Sequence, residues 1–170
     1  MFRTMRRSRQ QLSREECERI LADATSGVLA VTGDDGYPYA IPLSHVYQDG
    51  KLYFHCAKEG HKIDAIRRNE KVSFCVIAQD KVIPSKRTTA YISVIAFGKA
   101  VIVDDELGLR RIAGLIGKKY SSHYAEDCQR ETDHMIAADR MYCLEITVEH
   151  LTGKCGLEVL RSRSVSQKSD

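Results

Sequence analysis

Residues 53–62, Tyr-Phe-His-Cys-Ala-Lys-Glu-Gly-His-Lys, hold the densest set of chemically useful side chains in the 170-residue chain. A strand-like run ends near Ala57, a turn passes through Gly60, and His61 and Lys62 open a stretch with helical spacing at Ile63, Ala65 and Ile66. The first amides of a helix lack backbone acceptors and lie at the positive end of its dipole, so a strand, turn and helix in this order can hold a phosphate. Lys58, His61 and Lys62 add side-chain donors at the same spot. The alternative is a solvated loop, with Lys58 and Lys62 in water and His61 as a helix cap.

Other reactive groups are more scattered. His45 and His55 lie on neighbouring strand-like runs and suggest a metal pair, but two histidines fall short of the three or four protein ligands of a zinc site, and we assign no metal. The six cysteines, at 17, 56, 75, 128, 143 and 155, form no Cys-x-x-Cys pair. Cys75 and Cys143 fall inside apolar runs and read as small buried hydrophobes. The Gly-rich signatures of dinucleotide and nucleoside triphosphate sites are missing, as is the Gly-x-Ser-x-Gly of serine hydrolases. Arg3, Arg6, Arg7 and Arg9 make a short basic run, followed at once by an acidic helix start. Such a run reads as a packing or phosphate arm, and no nucleic-acid partner is expected.

The elements that must position these groups are legible from periodicity. Ser13-Arg14-Glu15-Glu16 is a capping box, and Cys17, Ile20, Leu21 and Ala24 follow it at helical spacing up to Gly27. Residues 28–32, 37–47 and 51–57 then read as a three-stranded meander, with Asp35-Gly36 and Asp49-Gly50 as hairpin turns. Pro38 and Pro42 cannot donate ladder hydrogen bonds, so the middle strand should be irregular or open on one side. Residues 71–78 and 90–103 are further strands, the second bending at Gly98, with a polar loop over 79–89 between them. Helical spacing returns at Leu107, Ile112, Leu115 and Ile116, a weaker helix covers 131–139, and 141–148 alternates as a final strand. Short turns permit only antiparallel pairing, so six strands with helices outside describe a small β-barrel.

Composition agrees. Hydrophobic residues make up 43% and charged residues 29%, as in a soluble globular protein, and the formal charge of +3 names no partner. No stretch approaches the length of a membrane span, the Arg-bearing start lacks an apolar run, and unpaired thiols suit a reducing compartment. The expectation is a cytoplasmic protein with no membrane partner, one domain over 1–160 and a disordered polar tail over 161–170.

The strings Asp-Gly-Tyr-Pro-Tyr-Ala-Ile-Pro-Leu-Ser at 35–44 and Asp-Gly-Lys-Leu-Tyr-Phe-His-Cys-Ala-Lys-Glu-Gly-His-Lys at 49–62 resemble the pyridoxamine 5′-phosphate oxidase-like flavin-binding split barrels. The start at Met5-Arg6-Arg7, the run from Ser93 to Ala100 and Leu151-Thr152-Gly153-Lys154 are similar to the nitroimidazole-resistance subfamily. The likeness spans about residues 5 to 156. It implies a mainly β, six-stranded antiparallel split β-barrel with flanking helices, forming a homodimer with FMN (or FAD) at the subunit interface. It places His55, Cys56, Ala57, Lys58, Gly60, His61 and Lys62 around the phosphate, Pro42, Leu43 and Ser44 along the flavin ring, and Ser93 and Lys154 nearby. The strand over 41–46 lacks the Arg and Lys of the vitamin oxidases, the C-terminal Arg-x-His is missing and there is no Trp, which argues against oxidation of pyridoxamine phosphate itself. The implied activity is a flavin-dependent reduction of a small aromatic or nitro compound such as a 5-nitroimidazole, with His55 as the candidate proton-transfer group. A non-catalytic flavin or haem binder is the alternative.

Overall fold

The computed structural model describes residues 2–166. The capping box forms: the Ser13 hydroxyl accepts from the Glu16 N–H at 3.1 Å, and the Glu16 carboxylate accepts from the Ser13 N–H at 3.0 Å. Helix α1 (Arg14–Asp23) follows and buries Cys17 and Leu21. It stops at Ala24, before Gly27, which lies within β1 (Ser26–Thr32). Gly27 is needed there for closeness, since a Cβ would stand 2.5 Å from the Phe74 ring and 2.6 Å from the Cys75 carbonyl.

The remaining elements are β2 (Pro38–Ser44), β3 (Val46–Gln48), β4 (Lys51–Ala57), α2 (His61–Arg68), β5 (Lys71–Ile83), β6 (Thr88–Val103), α3 (Glu106–Tyr120), α4 (Ala125–Ala137), β7 (Met141–Cys155) and α5 (Leu157–Ser166). Seven strands, rather than six, form one antiparallel sheet in the order β2-β1-β5-β6-β7-β4-β3. The expected meander is corrected at its middle strand, which divides at His45 into β2 and β3, the two outermost strands of the sheet. A single residue therefore joins the two edges. That connection forces the sheet to curl until its ends meet, although β2 and β3 do not pair, so the curl is not closed. Phe54 on β4 and Phe74 on β5 are not on neighbouring strands, yet their rings meet inside at 5.2 Å.

Both prolines of β2 lie on an edge strand, the place in a sheet where proline is tolerated. The hairpins use the positive φ that the dipeptides suggested, at Asp35 and Gly36 (54° and 79°) and at Asp49 and Gly50 (51° and 76°). Gly98 marks a register shift between β6 and β7, where a Cβ would meet the Thr147 carbonyl at 2.2 Å. Residues 79–89 are not a loop. Their polar residues continue the β5–β6 ladder as a two-stranded arm, with only Pro84–Lys86 as its tip, and because Ile83 alone among residues 80–83 packs against the core, the alternation that would have revealed them is lost.

The main core fills the curl and gathers Leu29, Leu52, Phe54, Phe74, Val94 and Leu144, with α1 and α2 packed against it. A second cluster lies outside, where Leu109 and Ile112 of α3 cover Val46, Tyr53, Met141 and Cys143. Cys143 is buried as expected, while Cys75 points outward and is only partly covered. Helix α5 extends through residues 161–166, correcting the expected disorder there because Val159 packs into the core and Glu158 is bonded by Lys86 and Arg161. Residues 167–170 of the expected tail lie outside the described residues. Among the described residues no helix is long and apolar enough to cross a membrane.

Candidate functional site

A cleft of about 650 Å³ opens on the outer side of the sheet, between the ends of β2 and β4, the start of α2, and the pair α3 and α4. Five of the residues singled out from sequence line it: Ser44, His55, Cys56, Ala57 and Lys62. This volume falls within the usual range for small-molecule and cofactor sites. Ala113, Ile116, Met135 and Met141 supply an apolar wall, and Tyr120, Glu131 and Arg140 add polar groups.

Local sequence explains how the sheet side of the cleft is built. The β4–β7 ladder ends at the pair Ala57 and Met141, so the chain leaves the sheet there. It turns through Gly60, whose φ of 127° and ψ of 162° belong to a region open essentially to glycine, and α2 begins at His61. Gly60→Ala is expected to cost about 1–3 kcal/mol of stability. Urea unfolding of the variant checks this, and an unchanged midpoint would mean that the turn relaxes without strain.

The corner at Ser44 and His45 is held from the other wall. The Tyr120 hydroxyl accepts from the His45 N–H at 2.9 Å and lies 2.6 Å from both the His45 and Thr25 carbonyls. The Lys119 ammonium donates to the Ala24 and His45 carbonyls at 2.6 and 3.0 Å. Burial lowers the Lys119 pKa and raises that of Tyr120, the latter opposed by hydrogen bonds to His45 and Ser44. Burial also pushes the Cys56 thiol up, opposed by the Lys62 ammonium on the same wall of the cleft. Cys56 is thus held as a neutral thiol.

The other candidates go elsewhere. His61 stacks on Tyr39, with ring centroids 4.1 Å apart, and its Nε2 lies 3.4 Å from the Asp34 carboxylate. Lys58 bonds to Asp139 and lies over the Tyr142 ring at 4.7 Å. Leu43 packs into the main core. Pro42 points outward from β2, and Ser93 and Lys154 are cross-strand partners on β6 and β7. His45 and His55 are separated: His45 is fully buried, its ring 4.7 Å from that of Phe74, while His55 faces the cleft.

Sequence reasoning missed the whole α3–α4 wall. Tyr120 and Arg140 carry no local signal, because each is a single polar residue at an element end and acts only through partners distant in the chain.

The sequence matches the pyridoxamine 5′-phosphate oxidase family over residues 13–155. The chain belongs to this family. No curated protein sequence matches it. Among solved structures it is similar to the conserved hypothetical protein Rv2991 of Mycobacterium tuberculosis, at 22% identity and a TM-score of 0.74, over 89% of this chain and 90% of that one. It is also similar to a Bacteroides thetaiotaomicron protein assigned to 5-nitroimidazole antibiotic resistance, at 22% identity and a TM-score of 0.68, over 85% and 86%. A third is an FAD-binding protein of Mesorhizobium loti, at 26% identity and a TM-score of 0.59, over 86% and 97%. The family and the fold around the cleft are thereby shown together.

Proposed function

We propose that the protein is a flavin-dependent oxidoreductase that binds FMN in this cleft and reduces a small aromatic or nitro compound. The observation that carries the reading is the cleft itself, where a strand end, a Gly60 turn and the first turn of α2 present Lys62 beside an apolar wall. Family membership and the FAD-binding protein of Mesorhizobium loti support a flavin as the ligand. When bound, a flavin supplies hydride and electron transfer between a donor and an acceptor. The chain's part would be to hold and orient the group, with Lys62 holding its phosphate and Ser44, the corner gripped by Tyr120, Met135 and Met141 holding its ring. His55 is the imidazole in the cleft and the candidate group for proton transfer.

The second part of the proposal is a homodimer with the flavin at its interface. Cross-strand register aligns Pro42, Val28, Cys75, Ile95 and Thr152 in one row on the outer face, beside a second row of Ile77, Ser93 and Lys154. Val28 is 38% exposed and Ile77 67% exposed, so this apolar face lacks a cover among the described residues. A second copy seated there would bring its Ser93 and Lys154 toward the first copy's cleft, which accounts for candidates on two separate surfaces.

The absorption spectrum of the purified protein, NADH or NADPH oxidation with nitroaromatic and quinone acceptors, and sedimentation equilibrium test this together. Flavin bands, turnover and a dimer are expected. Stoichiometric flavin without turnover for any acceptor would make the protein a flavin binder, a haem spectrum would replace the ligand, and a monomer that binds flavin tightly would remove the interface site.

A further inference from the structure

We propose that the phosphate subsite is built by Lys62 and Arg140, and that Lys58, the cation sequence would place there, is excluded from it; this rests on the flavin reading above. Cations on this flank are mostly consumed. Lys58 is bonded to Asp139 and covers Tyr142, Lys51 and Arg111 share Glu145, Arg67 faces Asp64, and Arg68 is bonded to Asp34. Lys62 and Arg140 have no carboxylate within ion-pair distance among the described residues, and both line the cleft. The one carboxylate among the lining residues, Glu131 on α4, leaves the lining net positive.

Topology brings Arg140 to the same end of the cleft as the turn that opens α2, whose first turn carries Lys62. Ala57 and Met141 are the last pair of the β4–β7 ladder, so Lys58 and Arg140 step off the sheet side by side. The bond from Lys58 to Asp139 ties the α4–β7 turn to the turn that opens α2. Asp139 itself is left-handed (φ 52°), and this tight turn delivers Arg140 to the edge of the cleft. Two unpaired cations on one cleft repel each other and contribute nothing to the fold; a phosphate between them reverses the sign of that term. A guanidinium suits the task, because its planar fork can bind two phosphate oxygens at once.

The test titrates FMN, FAD and riboflavin into wild type, Arg140→Gln, Lys62→Ala and Lys58→Met. Arg140→Gln and Lys62→Ala are each expected to weaken the phosphorylated flavin by about tenfold or more while leaving riboflavin within about twofold. Lys58→Met is expected to leave the affinity for FMN within about twofold. An FMN affinity unchanged by Arg140→Gln, or lost equally for FMN and riboflavin, overturns the proposal while flavin binding stands. A wild type that binds neither FMN nor FAD overturns the flavin reading and this proposal with it.

Discussion

Replacing Phe74 by alanine is expected to lower the unfolding free energy by about 3–5 kcal/mol, the range for removing a fully buried aromatic ring. The ring is 0% exposed, meets Phe54 edge-on at 5.2 Å and His45 at 4.7 Å, and lies against Gly27, where a Cβ would be only 2.5 Å away. It therefore joins β5 to β4, to the seam at His45 and to β1 at one point inside the curl. Urea unfolding with an unchanged m-value measures the loss. A loss under about 1 kcal/mol would mean that the inside of the curl relaxes around the missing ring, against the close packing expected of a core.

Acidification is expected to act through His45. Burial holds its imidazole neutral and pushes its pKa down to about 4, opposed by a 2.8 Å contact between Nε2 and the Leu21 carbonyl and reinforced by the Lys119 charge. The unfolded chain binds this proton near pH 6.5 and the folded chain does not, so stability rises with pH across that window. Stability is complete above pH 6.5 and falls by about 3 kcal/mol as pH drops to 4. The window above pH 4.5 isolates His45, since the paired carboxylates of Glu16, Glu145 and Glu158 are all held below that value. Unfolding free energies at intervals from pH 7 to 4.5 check this. A flat wild-type profile, or the same slope in His45→Leu, would remove His45 as the cause.

Local signals survived into the structure wherever the decisive interaction is local. Ser13 and Glu16 cap α1 within four residues, Asp49-Gly50 turns β3 into β4, and the Gly60 turn hands β4 to α2. The break at His45 was not legible, because the breakers within residues 37–47, Pro38 and Pro42, fall before it and the strand pattern runs on through residue 45. It is imposed from 74 and 75 residues away by Lys119 and Tyr120, which take up the His45 backbone groups. The β5–β6 arm was misread for a different reason, since a ladder that turns almost only polar residues to solvent has the composition of a loop. Helix α4 has no buried residue, so its periodicity was weak, and the cleft wall it forms was missed with it. The sheet half of the candidate site was readable in 53–62; the helical half depends on tertiary placement.

The most direct test of the phosphate-anchored flavin site is the melting temperature of wild type with FMN and with riboflavin, each at the same concentration. At a hundredfold excess over Kd a ligand specific for the folded state adds ~2.7 kcal/mol, which is roughly 5–10 °C for a chain of this size. The account predicts that FMN gives a shift of this order and that riboflavin, which lacks the phosphate, gives a much smaller one. Equal shifts from the two would leave the phosphate in solvent and contradict the assignment of Lys62 and Arg140 to its site.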